Sequence, residues 1–129
     1  MGQQCLIDSN VIIDYLGGKI PVDKREFMNA VINDMPAVSI ISKIEVLGFN
    51  APADELKLLE YFFTDVLVLE MNNQIIEQTI LLRRNTKMKT PDAIIAATAL
   101  VYDLTLITRN TSDFKNIQGL NIIDPYTIA

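Results

Sequence analysis

Four acidic side chains occupy positions from which carboxylates could bind a divalent cation together. They are Asp8, Glu45, Asp92 and Asp113, out of 16 Asp and Glu residues in the chain. Oxygen ligands without histidine or thiolate favour Mg²⁺ or Mn²⁺, and such ions hold phosphate esters, activate a bound water and stabilise a departing oxygen. Without a cation, neighbouring carboxylates repel one another and some have raised pKa values. The chemistry that this set favours is metal-dependent attack on a phosphate ester.

The remaining composition narrows the possible chemistry. The chain has no histidine, which excludes Ser-His-Asp hydrolysis, histidine general-base catalysis and the usual zinc sites that contain histidine. Its net charge of −5 argues against a protein that coats nucleic acid through a broad basic surface. A nuclease with an acidic centre stays open because it needs only a local basic rim.

The acids depend for their position on a predicted alternation of strands and helices. An apolar run ending at Asp8 predicts the first strand, and further strands are predicted at residues 37–41, 66–69, 105–108 and 121–124. Helices are predicted to start near Val11, to span 24–33 after an Asp23 cap, 54–63 and 93–102, and to follow an Asn72 cap. This alternation indicates an α/β fold with a central, mainly parallel sheet of four to five strands and helices on both faces.

In such a sheet each crossover helix begins at the edge where the strands end. Asp8 follows the first strand, and Glu45 lies in the first turn after the second. Asp92 opens the helix before the fourth strand, and Asp113 lies just beyond that strand. Asp14 lies more than a turn along the first helix and is not assigned to this edge. The acids that directly precede strands are expected at the opposite edge; they are Asp34, Asp65 and Asp103.

Three of these positions also have a purely structural interpretation. Asp8 can cap the first helix. Ser42 and Glu45 have the spacing of a capping box, in which the carboxylate of Glu45 binds the backbone N–H of Ser42. Thr90, with a proline after it and Asp92 in the next turn, is typical of an N-cap and helix start.

Polar and basic residues near the acids could support a site. Hydroxyl and amide groups that could orient ligands or bound water belong to Ser9, Asn10, Thr108 and Asn110. A basic rim for a phosphate backbone is predicted from Lys43, Arg83, Arg84, Lys87, Lys89 and Arg109. A solvated charged face explains such basic residues at least as often.

Four motifs span nearly the whole chain in order: DSN at 8–10, EVLG at 45–48, PDAIIAATA at 91–99 and TRNTSDF at 108–114. As a set they resemble the motifs of PIN-domain endoribonucleases, and more narrowly those of VapC toxins from prokaryotic toxin–antitoxin pairs. The resemblance implies a three-layer α/β/α fold and RNA cleavage. It also implies Mg²⁺ or Mn²⁺ held by Asp8, Glu45, Asp92 and Asp113, and frequent homodimers.

We therefore expect residues 1–129 to form a single PIN-like nuclease domain. No apolar stretch is long enough to cross a bilayer and the N-terminus lacks the features of a signal peptide, so we expect a cytoplasmic protein. The expected activity is that of a Mg- or Mn-dependent ribonuclease, the toxin of a type II pair. Alternatives are a DNA nuclease or phosphatase using the same carboxylates, or a non-catalytic domain in which the acids hold a structural ion or a basic partner.

A toxin needs an inhibitor, and we expect a small antitoxin protein. Its amphipathic segment is predicted to pack over the helices at 24–33 and 54–63 and to place a basic residue near Asp8 and Asp92. An arginine fits best, because its planar fork binds carboxylates through two hydrogen bonds. Packing of the same helices in a homodimer is an equal alternative, since a C2 interface also needs an apolar patch.

Overall fold

The computed structural model describes residues 5–128 of the chain. Five short parallel strands form its central sheet. They are β1 (Cys5–Ile7), β2 (Ala37–Ser39), β3 (Leu67–Leu69), β4 (Thr105–Ile107) and β5 (Ile122–Ile123). Their order across the sheet is β3-β2-β1-β4-β5, and every neighbouring pair is parallel. The predicted sheet of four to five mainly parallel strands is confirmed.

Helices connect the strands. They are α1 (Ser9–Leu16), α2 (Arg25–Asn33), α3 (Ile40–Leu47), α4 (Ala53–Phe62), α5 (Asn73–Asn85), α6 (Thr90–Tyr102) and α7 (Thr111–Phe114), with a 3₁₀ turn at Val22–Lys24 before α2. No helix within residues 5–128 combines the length and apolarity needed to cross a membrane.

Alternate side chains of the strands point to opposite faces, which gives the molecule its three layers. On one face, Leu6 of β1 and Leu106 of β4 pack in a core with residues of α5, α6 and α7. On the other face, Ile7 and Ile107 pack with residues of α1, α2, α3 and α4. Both faces of the sheet are thus covered, and the expected α/β/α fold is confirmed.

The start of α3 differs from the prediction and changes the interpretation of Glu45. Strand β2 ends at Ser39, whose Oγ accepts the backbone N–H of Ile41 at 3.2 Å and caps α3. The proposed capping box is therefore wrong. Ser42 lies inside the helix, fully buried, and its hydroxyl has no hydrogen-bond partner among residues 5–128. Glu45 lies in the second turn of α3 and not in the first.

Other helix starts were predicted with mixed success. Asn72 caps α5 as expected, because its Oδ1 accepts the N–H of Ile75 at 2.8 Å. Asp23 does not cap α2, since it lies in the 3₁₀ turn and α2 begins without a side-chain cap. Thr90 is the first residue of α6 and not its cap, which falls on Lys89. The short helix α7 was not predicted.

Candidate active site

The carboxyl ends of β1 and β4 lie at the centre of the candidate site. From β1 the chain builds β2 and β3 on one side, then crosses to the other side to form β4 and β5. Where the strand order reverses in this way, the loops diverge and leave a crevice that binds ligands in many α/β proteins. Asp8 directly follows β1 and Thr108 directly follows β4, so both lie at that crevice.

Asp8 is 7% exposed and is held from two sides. Its Oδ1 accepts the backbone N–H of Ser9 at 2.8 Å, and its Oδ2 accepts the hydroxyl of Thr108 at 2.8 Å. Burial raises the pKa of Asp8, and the charge of Glu45 adds to that rise, while the two hydrogen bonds oppose it. Asp8 is thus both the N-cap of α1 and a carboxylate at the sheet edge.

Glu45 and Asp113 each have one short hydrogen bond from a neutral side chain. The hydroxyl of Ser9 donates to Oε1 of Glu45 at 2.6 Å. Asn110 donates through Nδ2 to Oδ2 of Asp113 at 2.6 Å, within the turn that opens α7. Both acids are exposed to solvent. Their carboxylates are therefore oriented but open to a ligand.

Asp92 in the first turn of α6 has a different environment. Burial raises its pKa, and the charges of Asp8, Asp113 and Glu45 raise it further, against a smaller opposing effect of Lys89. Among residues 5–128 no hydrogen-bond donor or ion-pair partner holds its carboxylate. The four predicted acids thus act on one another electrostatically across a single edge of the sheet, and Asp92 feels all three of the others.

The donor set suits a hard cation. Within residues 5–128 no three acidic or thiol side chains stand close enough to hold a metal ion as they are placed. Mg²⁺ does not require such a cage, because it keeps several waters and is usually bound by one or two carboxylates together with phosphate oxygens. A bound cation would stabilise the charged form of carboxylates, such as Asp8 and Asp92, whose pKa values are raised by burial and by like charges.

The predicted supporting residues divide into two groups. Ser9, Thr108 and Asn110 each donate to one of the acids, as described above. The hydroxyl oxygen of Thr108 also accepts the backbone N–H of Asn110 at 3.0 Å, which fixes the turn after β4. Asn10 is exposed on α1, and its side chain makes no hydrogen bond within residues 5–128.

The basic residues of the predicted rim also differ in their contacts. Arg83 donates to the backbone oxygen of Met88 at 2.9 Å and so stabilises the loop between α5 and α6. Lys89 acts on the pKa of Asp92, which places its charge near the acids. The rim residues that form no ion pair within residues 5–128 are Lys43, Arg83, Arg84, Lys87 and Lys89.

Arg109 has partners inside the protein. Its Nη1 lies 2.8 Å from Oδ2 of Asp14, and its guanidinium carbon lies 4.9 Å from the centre of the Tyr126 ring. The Tyr126 hydroxyl also donates to Asp14. Asp14 was not among the predicted site residues, and neither was Tyr126. One signal was available: Asp14 follows Val11 by three residues, on the apolar face of α1, where a carboxylate needs a partner.

Comparison with known proteins agrees with the fold and the motifs. The family model for the PIN domain matches residues 5–120. No curated protein sequence matches the chain significantly. A solved toxin–antitoxin complex from Klebsiella pneumoniae contains a chain with 33% identity and a TM-score of 0.77, over 96% of this chain and 99% of that one.

Two further solved structures are similar over nearly the full length. A chain of DNA-bound VapBC from Salmonella typhimurium has 27% identity and a TM-score of 0.79, over 97% of this chain and 99% of that one. A chain of VapBC-1 from nontypeable Haemophilus influenzae has 25% identity and a TM-score of 0.74, over 95% and 98%. The chain therefore belongs to the PIN domain family. Within that family it is of the VapC type, which confirms the resemblance that the motifs predicted.

Proposed function

We propose that this chain is a metal-dependent endoribonuclease and the toxin of a type II toxin–antitoxin pair. The observation that carries the proposal is the environment of Asp92, which is partly withdrawn from water among three other acids and has no donor within residues 5–128. A carboxylate in this setting is stabilised by a cation. Membership of the PIN family and similarity to chains of solved toxin–antitoxin complexes support a nuclease toxin.

The proposed ligands of Mg²⁺ or Mn²⁺ are Asp8, Glu45, Asp92 and Asp113. When bound, such an ion supplies a nucleophilic water at neutral pH and positive charge for the departing oxygen. The protein's own contribution is orientation. The Thr108 hydroxyl and the N–H of Ser9 fix the two oxygens of Asp8, and the Ser9 hydroxyl directs Glu45. These neutral donors hold carboxylates in place without neutralising them, so the charge stays available to a cation.

RNA is the proposed substrate. The last turn of α5 carries exposed Arg84, and the loop from there to α6 carries exposed Lys87 and Lys89 and leads into Asp92. A polynucleotide can contact such a loop while one of its phosphates lies at the acids, whereas a small phosphate ester cannot reach both. A DNA nuclease or a phosphatase would use the same carboxylates, so a comparison of substrates is needed to distinguish these activities from RNA cleavage.

A substrate panel tests this proposal. The purified chain should be incubated with end-labelled single-stranded RNA, single-stranded DNA of the same sequence and a small aromatic phosphate ester, each with Mg²⁺, Mn²⁺ or excess EDTA. We expect cleavage of RNA alone, and only with metal. Preferred cleavage of DNA or of the small ester would assign the site to an alternative activity. Full RNA cleavage in EDTA would contradict metal dependence.

An antitoxin is the proposed partner, and an apolar groove is its proposed binding surface. The groove runs between α1 and α4 and has a volume of about 160 Å³, well below the roughly 300 Å³ at which small-molecule sites begin. It therefore suits individual side chains of a peptide. Its lining residues are Ile13, Leu16, Gly17, Lys19, Phe49, Ala51, Glu55, Leu58 and Leu59.

The surface differs in part from the predicted one. The proposed surface includes α4, which was part of the predicted one, but α1 forms the other wall of the groove, and Ile32 of α2 contributes only to the neighbouring recess beside Tyr61. Ile13 and Leu16 follow Asp8 by five and eight residues on the same helix, which is about 8 to 12 Å. A peptide in the groove could thus extend an arginine to Asp8, where it would replace a cation.

Co-expression tests the partner and separates it from the homodimer alternative. The variant Leu58→Asp places a charge in the groove, and Ile80→Asp places one on exposed α5 as a control. If the groove binds an antitoxin, both variants stop growth of a host, and co-expression of the small reading frame next to the gene rescues only Ile80→Asp. If the groove is instead a dimer interface, Leu58→Asp is rescued and becomes monomeric by analytical ultracentrifugation.

A further inference from the structure

The acidic residue within α1, Asp14, is buried away from the candidate site. Asp14 is 9% exposed and lies six residues after Asp8, about 9 Å further along the helix. A carboxylate withdrawn from water is costly unless it is paired and hydrogen-bonded. Asp14 is both, because Arg109 forms an ion pair with its Oδ2 at 2.8 Å and the hydroxyl of Tyr126 donates to the same oxygen.

Tyr126 is held by contacts at its ring, its hydroxyl and its backbone. The guanidinium of Arg109 stacks on its ring, and its backbone N–H donates to Oδ1 of Asp124 at 2.9 Å, just after β5. Burial, followed by the bond to Asp14, raises the pKa of Tyr126 to about 12. The phenol therefore stays protonated at neutral pH and serves as a donor.

Arg109 is the residue next to Thr108, and this adjacency links the ion pair to the site. Thr108 binds α1 at its first turn through Asp8, and Arg109 binds it about 9 Å further along through Asp14. Two consecutive residues of one loop therefore hold one helix at two points. The backbone N–H of Thr108 also donates to the backbone oxygen of Ile123 at 3.0 Å, so Thr108 is fixed at the end of the sheet. The contact of Arg109 with Asp14 then holds the next residue of the loop on α1.

The same loop continues into the residues that orient Asp113. Asn110 donates its backbone N–H to Thr108 and its side chain to Asp113, and the N–H of Asp113 donates to the backbone oxygen of Asn110 at 3.3 Å. Any rotation of the loop about α1 would therefore move Asp113 relative to Asp8. A displacement of about 1 Å in such a constellation can lower a rate about 100-fold.

We propose that Asp14, Arg109 and Tyr126 form a positioning clamp that fixes the loop of residues 108–113 on α1 and so sets the separation of Asp8 from Asp113. The effect of the clamp on catalysis rests on the proposed nuclease function. The clamp gives Arg109 a role other than the RNA binding expected from the sequence. Its charge is largely balanced by Asp14, which leaves less of it for a phosphate.

Kinetics of a double-mutant cycle distinguish the two roles of Arg109. The clamp predicts that Asp14→Asn and Arg109→Ala each lower kcat for RNA cleavage by about 10- to 100-fold, with KM changed less than about threefold. The double variant should lose no more than the worse single variant, because both break one unit. RNA binding by Arg109 predicts instead a raised KM and a weaker salt dependence for Arg109→Ala, with Asp14→Asn unaffected. That result would overturn the clamp.

Amide hydrogen exchange tests the clamp without activity. The exchange rates of the N–H groups of Asn110 and Asp113 should rise at least about tenfold in Asp14→Asn and Arg109→Ala. Asp23→Asn is the matched control, since it removes an exposed ion pair at 3.6 Å and should change neither rate. Unchanged exchange in the clamp variants contradicts the clamp even if the chain cleaves no RNA, while absent cleavage by the unmodified protein contradicts only the nuclease proposal. If Arg109→Ala does not fold, Tyr126→Phe removes one hydroxyl and should raise the same two rates.

Discussion

Asp14 and Asp92 are both partly or fully withdrawn from water, but the protein treats their charges in opposite ways. Asp14 on α1 receives an ion pair from Arg109 and a hydrogen bond from Tyr126. Asp92 on α6 faces Asp8 and two further acids and has no donor within residues 5–128. The first carboxylate is therefore paired within the protein itself. The second has no such partner within residues 5–128, and we propose that a divalent cation binds there.

Asp8 lies between these two cases. Its two oxygens are hydrogen-bonded, but its donors are neutral, and its pKa is raised by burial and by Glu45. Hydrogen bonds from Thr108 and Ser9 thus fix the direction of the carboxylate without cancelling its charge. At this edge the neutral donors supply orientation, and we propose that a bound cation supplies most of the charge balance.

Removal of a site carboxylate should have the largest effect. Asp92→Asn keeps the shape of the side chain and removes its charge, so we expect RNA cleavage to fall by about 1,000-fold or more while the fold is kept. Asp103→Asn is the matched control at the other end of the same helix, where Asn also tolerates the left-handed backbone. Cleavage assays on both variants check this. Equal activity of the two would contradict the assignment of the site to the first turn of α6.

A smaller effect is expected at the residue that orients Asp8. Thr108→Val removes the hydroxyl that donates to Asp8 and accepts from Asn110, so cleavage should fall about tenfold and the fold should lose about 2 kcal/mol. Thr108→Ser should retain most of both. Thr98→Val provides the comparison, because Thr98 is equally buried but donates only to the Ile94 oxygen within α6. A large loss of activity in Thr98→Val would show that any buried hydroxyl matters.

The smallest effect concerns stability as a function of pH without metal. Burial and like charges raise the pKa of Asp92 in the folded state, so its contribution to stability is fully present below the ordinary carboxyl pKa and is lost as the pH rises through the raised value. In EDTA, Asp92→Asn should therefore gain stability relative to the unmodified protein between mildly acidic and neutral pH. Urea unfolding at several pH values measures that difference. A constant or shrinking difference would contradict a raised pKa of Asp92 in the folded protein.

The sequence was sufficient for the features that depend on local pattern. The short apolar runs and their alternation with helices predicted the parallel sheet, and the rule for crossover helices placed Asp8 and Asp92 at one edge. The cap at Asn72 was also evident. The local pattern predicted the wrong N-cap for α3, because two nearby serines could each serve as the cap. Ser39 and Ser42 can each cap a helix, and the choice depends on β2 pairing with β3 up to Ser39, a long-range contact.

Side-chain partners distant in sequence could not be predicted. Arg109 reaches Asp14 across 95 positions, and Tyr126 reaches the same carboxylate across 112. From the sequence, Arg109 was a basic residue beside an acidic motif, for which RNA binding is a reasonable expectation. Its pairing depends on α1 and the turn after β5 meeting at one side of the sheet, which only the assembled fold shows.

Thermal unfolding with and without Mg²⁺ tests the central claim most directly, because it measures cation binding at Asp92 whatever the substrate is. In EDTA at neutral pH, Asp92→Asn should melt above the unmodified protein, since a charge that is partly buried and repelled by other acids is gone. Millimolar Mg²⁺ should raise the melting temperature of the unmodified protein and of Asp103→Asn, but not that of Asp92→Asn. Equal Mg²⁺-dependent shifts in all three proteins would contradict the account.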